Sequence, residues 1–237
     1  MFILFLIVFI DLLGFGIIIP LLPFYAEHFD AAPYVVTLVL ATYSLAQLFS
    51  ATWWGGLSDR IGRRPVLIAS LAGAVVSYVW LGFADTLWML FATRALGGFM
   101  AGNISAAFAY VADSTTPENR ARGMGMIGAG YGLGFFVGPA IGGILAGPDA
   151  LNADYQTPAF AAAGLSFVSL CLAIAILKES LSDEIRARVA ARPKKSMMAQ
   201  LAEASRNRNL TYWIGLMFLA TFVMAGMETT FAMWAER

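Results

Sequence analysis

Three ionisable side chains stand within long apolar stretches of this sequence. Asp11, Arg94 and Glu228 each lie in a run dominated by aliphatic, aromatic and small residues. A charge at the centre of a bilayer costs about 2.5–3.5 kcal/mol on insertion scales and usually faces a cavity or a partner. Asp11 and Arg94 are therefore candidates for handling a proton or a cation, with a structural ion pair between them as the alternative. Glu228, near one end of its stretch, is expected to line a vestibule or to act directly.

Uncharged polar and aromatic residues accompany these charges. Gln47 and Asn103 stand in the second and fourth apolar stretches, and Tyr43 lies in the second. The two amides would either line a cavity or bond from one helix to another, and the sequence does not separate these interpretations. Tyr43 would supply an aromatic wall to the cavity, with ordinary packing as the alternative.

The composition requires a solvent other than water. Hydrophobic residues make up 59% of the 237 residues and charged residues only 13%, whereas a soluble domain is about 45–50% apolar and about 25% charged. The formal net charge of zero gives no indication of a nucleic-acid partner. Because Cys171 and His28 are the only residues of their types, we expect no disulfide, metal site, cofactor or catalytic triad.

Seven apolar stretches are long enough to cross a bilayer as helices, which takes about 20 residues each. They cover residues 2–25, 34–54, 65–84, 86–111, 122–146, 159–177 and 210–234. A polar, basic segment separates the sixth from the seventh. The sequence therefore predicts an all-α, polytopic membrane bundle of six helices followed by a seventh.

The basic residues predict the orientation of this bundle, because cytoplasmic loops retain Lys and Arg. Arginines follow the second and fourth stretches, and further basic residues crowd the segment after the sixth. The opposite loops carry acidic charges alone, at Glu27, Asp30, Asp85, Asp149 and Asp154. We therefore predict a cytoplasmic amino terminus. This orientation excludes seven-helix receptors and retinal proteins, whose amino terminus lies outside.

The segment after the second stretch carries closely spaced charges and glycines. It is expected to form a tight turn between two helix ends, in which Gly62 permits a positive φ angle and Pro65 suits the first turn of the next helix. Asp59 lies among three arginines and can accept paired N–H donors, although a solvated basic loop is the plainer interpretation. The pattern resembles the loop signature of the major facilitator superfamily at Gly55, Leu57, Asp59, Arg60, Gly62, Arg63, Arg64 and Leu67.

Further motifs strengthen this resemblance. The fourth stretch is similar to the arginine motif of the family around Arg94, although Gly97 stands where glutamine is usual. The first stretch, from Asp11 to Pro23, is similar to the opening of tetracycline-type drug/proton exporters. The fifth stretch is similar to the motif typical of antiporters, at Gly134, Gly138, Pro139, Gly142 and Gly143.

Glycines recur every four residues in the fifth stretch and form a smooth ridge on its helix. These are Gly130, Gly134, Gly138 and Gly142. Such ridges let a second helix approach closely in lipid, and Pro139 weakens the backbone ladder. A static packing groove and a bending contact are both compatible with the pattern. The resemblance implies that the partner of the ridge lies in a second half of the protein.

The resemblance also implies a division of the chain. Residues 1–178 would form an amino-terminal six-helix half, 179–209 a cytoplasmic basic linker, and 210–237 the first helix of a truncated second half. Transporters of this kind consist of two related halves with the substrate site between them. In the family, an arginine of the loop commonly pairs with an acidic residue at the end of the fourth helix. We therefore expect Arg63 to approach Asp113, as an exposed ion pair.

The resemblance implies a transporter and not an enzyme. We expect a multi-pass inner-membrane protein whose full-length form exports a small hydrophobic drug or metabolite, including antibiotics, by proton-coupled alternating access. Asp11 and Arg94 would provide the coupling. The alternatives are a sugar or organic-acid symporter or uniporter, and a truncated fragment that does not transport. The expected partners are the small-molecule substrate, protons, the lipid bilayer, and either a second copy in a homodimer or the missing carboxyl-terminal half.

Overall fold

The computed structural model describes residues 2–148, 153–182, 186 and 205–235, without the side chains of residues 224 and 227–235. These ranges contain helices, turns and short connections and no β-strand. The helices are α1 (Phe2–Ile18), α2 (Leu22–Glu27), α3 (Pro33–Ile61), α4 (Arg63–Gly82), α5 (Leu87–Ala101), α6 (Ile104–Ser114), α7 (Pro117–Ala146), α8 (Gln156–Ile176) and α9 (Arg208–Ala235). A 3-10 turn, Ile19–Leu21, joins α1 to α2.

Within the described ranges, six segments are long and apolar enough to cross a membrane. The first, Phe2–Glu27, combines α1, the 3-10 turn and α2, and the fourth, Leu87–Ser114, combines α5 and α6; the others are α3, α4, α7 and α8. The predicted all-α membrane bundle is confirmed. The helix α9 has 28 residues, which is also long enough for a span.

Two differences from the predicted helices concern the loop signature and the fourth span. The second helix continues through most of the predicted turn, because α3 ends only at Ile61 and Gly62 alone separates it from α4. Gly62 has the predicted positive φ, at 114°, and the reversal needs no other residue. The fourth predicted helix is interrupted at Gly102 and Asn103, between α5 and α6. Glycine and asparagine both form helix less readily than most residues.

Two clusters of buried apolar side chains form the core of the six-helix unit. Ile17 and Leu22 belong to one cluster, together with residues of α3, α4, α5 and α8. Leu4 and Ile7 belong to the other, together with residues of α3, α4, α6, α7 and α8. The first helical span thus runs through the middle of the unit. Asp11 lies on α1 between the two clusters.

The glycine ridge of α7 packs against α1, so the expectation of a partner in a second half is wrong. A Cβ atom at Gly138 would lie 2.6 Å from the backbone of Gly16. A Cβ at Gly142 would likewise overlap the carbonyl group of Ile17. Two helix backbones are in direct contact here, as the small-residue ridge predicts. Their closeness places α7 beside the helix that carries Asp11.

Contacts divide the chain into two units, residues 1–190 and residues 191–237. The division falls inside the predicted linker, 179–209, most of which lies outside the described residues. Leu181, near its beginning, is buried in the first unit. The first residues of the predicted linker therefore pack with the six-helix bundle, and the three-part division stays a prediction.

Candidate functional site

A cavity lies between the two apolar clusters, within the six-helix unit. Side chains of α1, α3, α4, α5, α6 and α7, and of the α5–α6 interruption, line it, and most are apolar or aromatic. An apolar cavity with a few polar groups is the usual form of a small-molecule site. The residues predicted from the sequence that the structure brings together here are Asp11, Tyr43, Gln47, Arg94 and Asn103.

Arg94 reaches the cavity from α5 and has no hydrogen-bond partner. The residue is 1% exposed, and the atoms Nε, Nη1 and Nη2 are all without an acceptor. The guanidinium carbon lies 5.9 Å from the ring centroids of both Tyr43 and Tyr78, which is within the range of cation–π attraction. The two rings stabilise the charge without accepting a hydrogen bond from it. A guanidinium held in this way can bind an acceptor from another molecule.

Asp11 lies in the same cavity but is not paired with Arg94. Its carboxylate accepts a hydrogen bond of 3.4 Å from the hydroxyl of Ser166 on α8. Neither salt bridge found in the described part of the chain involves Asp11 or Arg94. The interpretation of these two residues as a structural ion pair is therefore wrong for this conformation. The cavity therefore holds a carboxyl group and a guanidinium group that do not form a salt bridge with each other.

Gln47 and Asn103 line the cavity and also bond across helices, so both interpretations of these amides apply. The side-chain nitrogen of Gln47 donates to the carbonyl oxygen of Ala101 at 3.3 Å. The side-chain nitrogen of Asn103 donates to the hydroxyl of Ser70 on α4 at 2.6 Å. Both bonds position the interruption between α5 and α6. The polar groups of this wall are thus held in place from two neighbouring helices.

Side chains of α3 satisfy further carbonyl groups near the interruption. The Ser50 hydroxyl donates to the carbonyl oxygen of Gly98 at 3.4 Å, and the Trp54 indole donates to that of Phe99 at 2.6 Å. Unpaired backbone groups are costly inside a membrane. Sequence reasoning missed Ser50 and Trp54. Their role depends on the break between α5 and α6, which the apolar stretch does not reveal.

Gly97 lines the cavity where α5 packs closely against its neighbours. A Cβ atom at this position would lie 2.9 Å from the Ser77 hydroxyl and 3.6 Å from the ring of Tyr43. The glutamine that is usual here in the motif would extend into the same space. The absence of a side chain at Gly97 therefore lets Ser77 and Tyr43 lie close to α5.

A second group of charges lies around Arg63, at the start of α4. Its Nε donates to Asp113 at 3.0 Å, and its Nη1 donates to Asp59 at 2.5 Å and to the hydroxyl of Ser58 at 2.8 Å. The predicted approach to Asp113 is confirmed. The side chains of Arg63 and Asp113 are only 6% and 14% exposed, so the expectation of an exposed pair is wrong. The part of α3 that continues through the predicted turn contributes Ser58 and Asp59 as further partners of Arg63.

Glu179, which sequence reasoning missed, completes this group. Its carboxylate accepts the backbone N–H groups of Arg63 at 2.9 Å and Arg64 at 3.2 Å. These are the first two residues of α4, where N–H groups lack helical partners and negative charge is favourable. The backbone N–H of Leu181 donates to the same carboxylate at 2.9 Å. An acidic residue within a basic segment was the available signal, but only the fold shows which helix it caps.

Of the other residues of the loop signature, Leu67 lines the cavity, and the rest lie apart from it. Gly55 faces α6, and Leu57 packs against the cluster that contains Leu4. Arg60 is exposed, whereas Arg64 donates to the carbonyl oxygen of Ile174 on α8 at 2.7 Å. The signature therefore fastens helix ends in this structure.

The residues of the helix-five motif differ in their surroundings. A Cβ atom at Gly134 would lie 2.9 Å from the backbone of Leu12, whereas no atom of another helix lies within 4 Å of a Cβ at Gly143. Pro139 lies inside α7 without ending it. The motif combines positions that contact α1 with one that has free space.

Two residues named in the sequence analysis lie outside the described part of the chain. Glu228 belongs to α9, but its side chain is not described, and Asp149 falls in the undescribed part of the α7–α8 connection. The vestibule interpretation of Glu228 stays a prediction.

Known proteins similar to this chain are membrane transporters and resistance proteins. The chain is 37% identical over 174 residues to the tetracycline resistance protein, class B, of Escherichia coli, which covers 72% of this chain and 42% of that protein. It is 30% identical over 232 residues to multidrug resistance protein 2 of Bacillus subtilis (strain 168), which covers 97% of this chain and 56% of that protein. The chain thus spans about half the length of these curated relatives.

The fold is similar to that of the human organic anion transporter MFSD10 (TETRAN). The TM-score to its crystal structure is 0.68 at 28% sequence identity, over 78% of this chain and 48% of that one. A family model described as Major Facilitator Superfamily matches residues 4–237. These matches agree with the loop signature and with the six-helix unit. The chain belongs to the Major Facilitator Superfamily.

Proposed function

We propose that this multi-pass inner-membrane protein takes part in the export of a small hydrophobic drug or metabolite in exchange for protons. The observation that carries the proposal is the membrane-embedded cavity, in which Asp11 and Arg94 lie without a salt bridge to each other. The names of the relatives, a tetracycline resistance protein and a multidrug resistance protein, support an exported drug as the substrate. No bond of the substrate is made or broken, so the protein is a transporter and not an enzyme.

Asp11 is the proton carrier in this mechanism. It is the one carboxylate among the residues described as lining the cavity. An ionised aspartate can bind a cationic or hydrogen-bonding group of the substrate, and a protonated aspartate cannot bind a cation. Exchange follows if the substrate binds the ionised form from one side of the membrane and a proton displaces it towards the other. Arg94 stays charged throughout, because guanidinium groups do not lose their proton in proteins.

The chain provides one wall of the transport pathway. In this superfamily two halves enclose a substrate site near the middle of the membrane, and the described cavity belongs to one six-helix unit. The opposite wall would come from a carboxyl-terminal half or from a second copy of the chain. Alternating access would then be the rocking of one half against the other around the bound compound.

Asp11→Asn tests the proposal in the whole reading frame that contains this chain. The substitution preserves the shape of the side chain and removes its titratable charge. We expect tetracycline uptake into everted membrane vesicles, driven by an imposed pH gradient, to be abolished, while the amount of protein in the membrane stays the same. Asp30→Asn is the matched control, because Asp30 is exposed and its φ of 55° suits asparagine. Gradient-driven uptake that survives Asp11→Asn would contradict the role of Asp11.

A second measurement asks what supplies the opposite wall. The 237-residue chain alone, purified and reconstituted into liposomes, is expected to show no gradient-dependent uptake of tetracycline. Uptake that Asp11→Asn eliminates would instead assign the function to a homodimer. The oligomeric state in detergent, measured by light scattering, distinguishes a dimer from a chain that needs a different partner.

An organic-acid symporter or uniporter is the second candidate. The unpartnered guanidinium of Arg94 and the likeness to an organic anion transporter favour it. The direction of proton movement separates the two functions. In an exchanger protons move against the substrate, in a symporter they move with it, and in a uniporter substrate movement is independent of the pH gradient.

A further inference from the structure

We propose that the compound bound in this cavity is an aromatic zwitterion, with its anionic group on Arg94 and its cationic group on Asp11. The inference rests on the proposed function, since it names the substrate class of the same cavity. Three features of the cavity carry it: a guanidinium without acceptors, a carboxylate without a cation, and a wall of aromatic rings.

Arg94 selects an anionic group. All three of its side-chain nitrogen atoms are buried and without an acceptor. A guanidinium presents N–H groups in a planar fork that matches the two oxygens of a carboxylate. Tyr43 and Tyr78 lie at 5.9 Å from its charge centre and stabilise the cation through their rings, which does not use up the donors. A carboxylate or an enolate is the group that would satisfy them.

Asp11 selects a cationic group. Its carboxylate accepts a single long hydrogen bond among those described, at 3.4 Å from the hydroxyl of Ser166. A neutral hydroxyl compensates little of the cost of holding a carboxylate away from water. An ammonium group of the substrate would pair with the ionised carboxylate, and a proton arriving at Asp11 would release that group.

Other charge patterns leave a group unpaired in the occupied cavity. A purely cationic compound would neutralise Asp11 and leave Arg94 without an acceptor, whereas a purely anionic compound would do the reverse. A neutral compound would leave both charges unpaired. A buried charge that has no partner is strongly unfavourable. A zwitterion satisfies Arg94 and Asp11 together and keeps the occupied cavity neutral.

Aromatic rings form a continuous wall beside these charges. Phe15 stacks on Tyr43 with centroids 4.7 Å apart and contacts Phe135 edge-on at 5.5 Å. Phe135 in turn stacks on Tyr131 at 5.2 Å. The wall thus runs from α3 across α1 to α7. Flat rings of a ligand stack favourably on such surfaces, so the charges are expected to lie on an aromatic framework.

Ciprofloxacin and two of its derivatives test the charge pattern with one aromatic framework. The drug carries a carboxylate and an ammonium group, its methyl ester carries the ammonium group alone, and its N-acetyl derivative carries the carboxylate alone. Binding of each to the purified product of the whole reading frame that contains this chain is measured in detergent through the fluorescence anisotropy of the drug. We expect the zwitterion to bind at least about tenfold more tightly than either derivative, since a hydrogen-bonded charge is typically worth that factor.

Substitutions assign each preference to its residue. Arg94→Met is expected to remove the preference for the drug over its ester, and Asp11→Asn the preference for the drug over its N-acetyl derivative. Arg94→Lys keeps the charge and should retain part of the first preference, which preserves the test if the methionine variant does not fold. The controls Arg120→Gln and Asp30→Asn change exposed charges elsewhere and should leave both ratios unchanged.

The outcomes are decisive in both directions. Equal binding of the three compounds to the unsubstituted product of the whole reading frame, failure of the zwitterion to bind to it, or ratios that survive both Arg94→Met and Asp11→Asn would overturn the inference. Failure of the proposed function is distinguishable, because it would appear as absent gradient-driven uptake in vesicles while the binding ratios and their dependence on Arg94 and Asp11 persist.

Discussion

Two buried arginines in this chain differ in what surrounds them. Arg63 is 5% exposed and its guanidinium donates to Asp59, Asp113 and Ser58, whereas Arg94 is 1% exposed and donates to no group in the described structure. Both have lost the solvation of water. The partners of Arg63 join α3, α4 and α6 at one end of the bundle, whereas Arg94 lines the cavity without an acceptor. Burial alone therefore does not distinguish an arginine that holds helices together from one that is available to a ligand. The presence of hydrogen-bond partners does.

Replacing each arginine by methionine should give the largest difference in stability between the two sites. Arg63→Met leaves Asp113 without its cation, and loss of one member of a buried pair costs about 3–5 kcal/mol. Arg94→Met removes a charge that has no hydrogen-bond partner, so we expect a loss below about 1 kcal/mol, or a gain. Thermal unfolding of the purified variants in detergent measures both effects.

A double variant provides the control for this pair. Arg63→Met combined with Asp113→Leu removes both charges and should recover much of the lost stability, because an apolar pair can replace a buried ion pair. Equal losses for Arg63→Met and Arg94→Met would show that the two arginines have the same structural role.

Two alanine substitutions on α7 test how closely this helix packs against α1. The position of α1 matters for the cavity because α1 carries the unpaired Asp11. Gly138→Ala would place a Cβ atom 2.6 Å from the backbone of Gly16, and overpacking of this kind costs about 1–3 kcal/mol. Gly132→Ala has no neighbouring atom within 4 Å and should be neutral or stabilising by up to about 1 kcal/mol, since alanine favours helix. Opposite shifts of the unfolding temperature are expected, and equal shifts would argue against close packing of α1 on α7.

Glu179→Gln should weaken the group of charges around Arg63 at the start of α4. The amide keeps an acceptor for the N–H groups that begin α4 but loses the negative charge that the helix start favours. We expect a loss of about 0.5–1 kcal/mol, measured as a lower unfolding temperature. Glu27→Gln, at an exposed carboxylate, is the matched control and should have no effect. A neutral Glu179→Gln would show that the cap contributes geometry alone.

The smallest expected effect concerns Asp154, an exposed carboxylate whose partners are neutral. Hydrogen bonds from the side chain and backbone of Thr157, and from the backbone of Gln156, hold the pKa of Asp154 below its usual value. A lowered pKa stabilises the folded state above the ordinary aspartate pKa of about 3.9, and the contribution is lost as the pH falls through the lowered pKa. Asp154→Ala should therefore lower the unfolding temperature slightly at neutral pH, and this difference should shrink in acid. A difference that is the same at both pH values would contradict the assignment.

The sequence predicts the membrane bundle and the pairing of Arg63 with Asp113 because both depend on patterns readable along the chain. Long apolar runs indicate spans. The resemblance of the loop signature to the family implies that its arginine pairs with an acidic residue such as Asp113. The partner of the glycine ridge and the role of Glu179 depend on which distant segments meet in space. The unpaired state of Arg94 is also set by packing, since the position of a residue along an apolar stretch does not determine which residue of another helix lies beside it.

The carboxylate of Glu179 has a mechanical consequence. It follows α8 in the sequence, and it binds the first N–H groups of α4 beside Gly62, where a Cβ atom would overlap it. Because the same carboxylate also accepts the N–H of Leu181, a displacement of the backbone at Leu181 would act on the one-residue joint between α3 and α4. Those two helices carry Tyr43 and Tyr78, the aromatic rings that flank the guanidinium of Arg94.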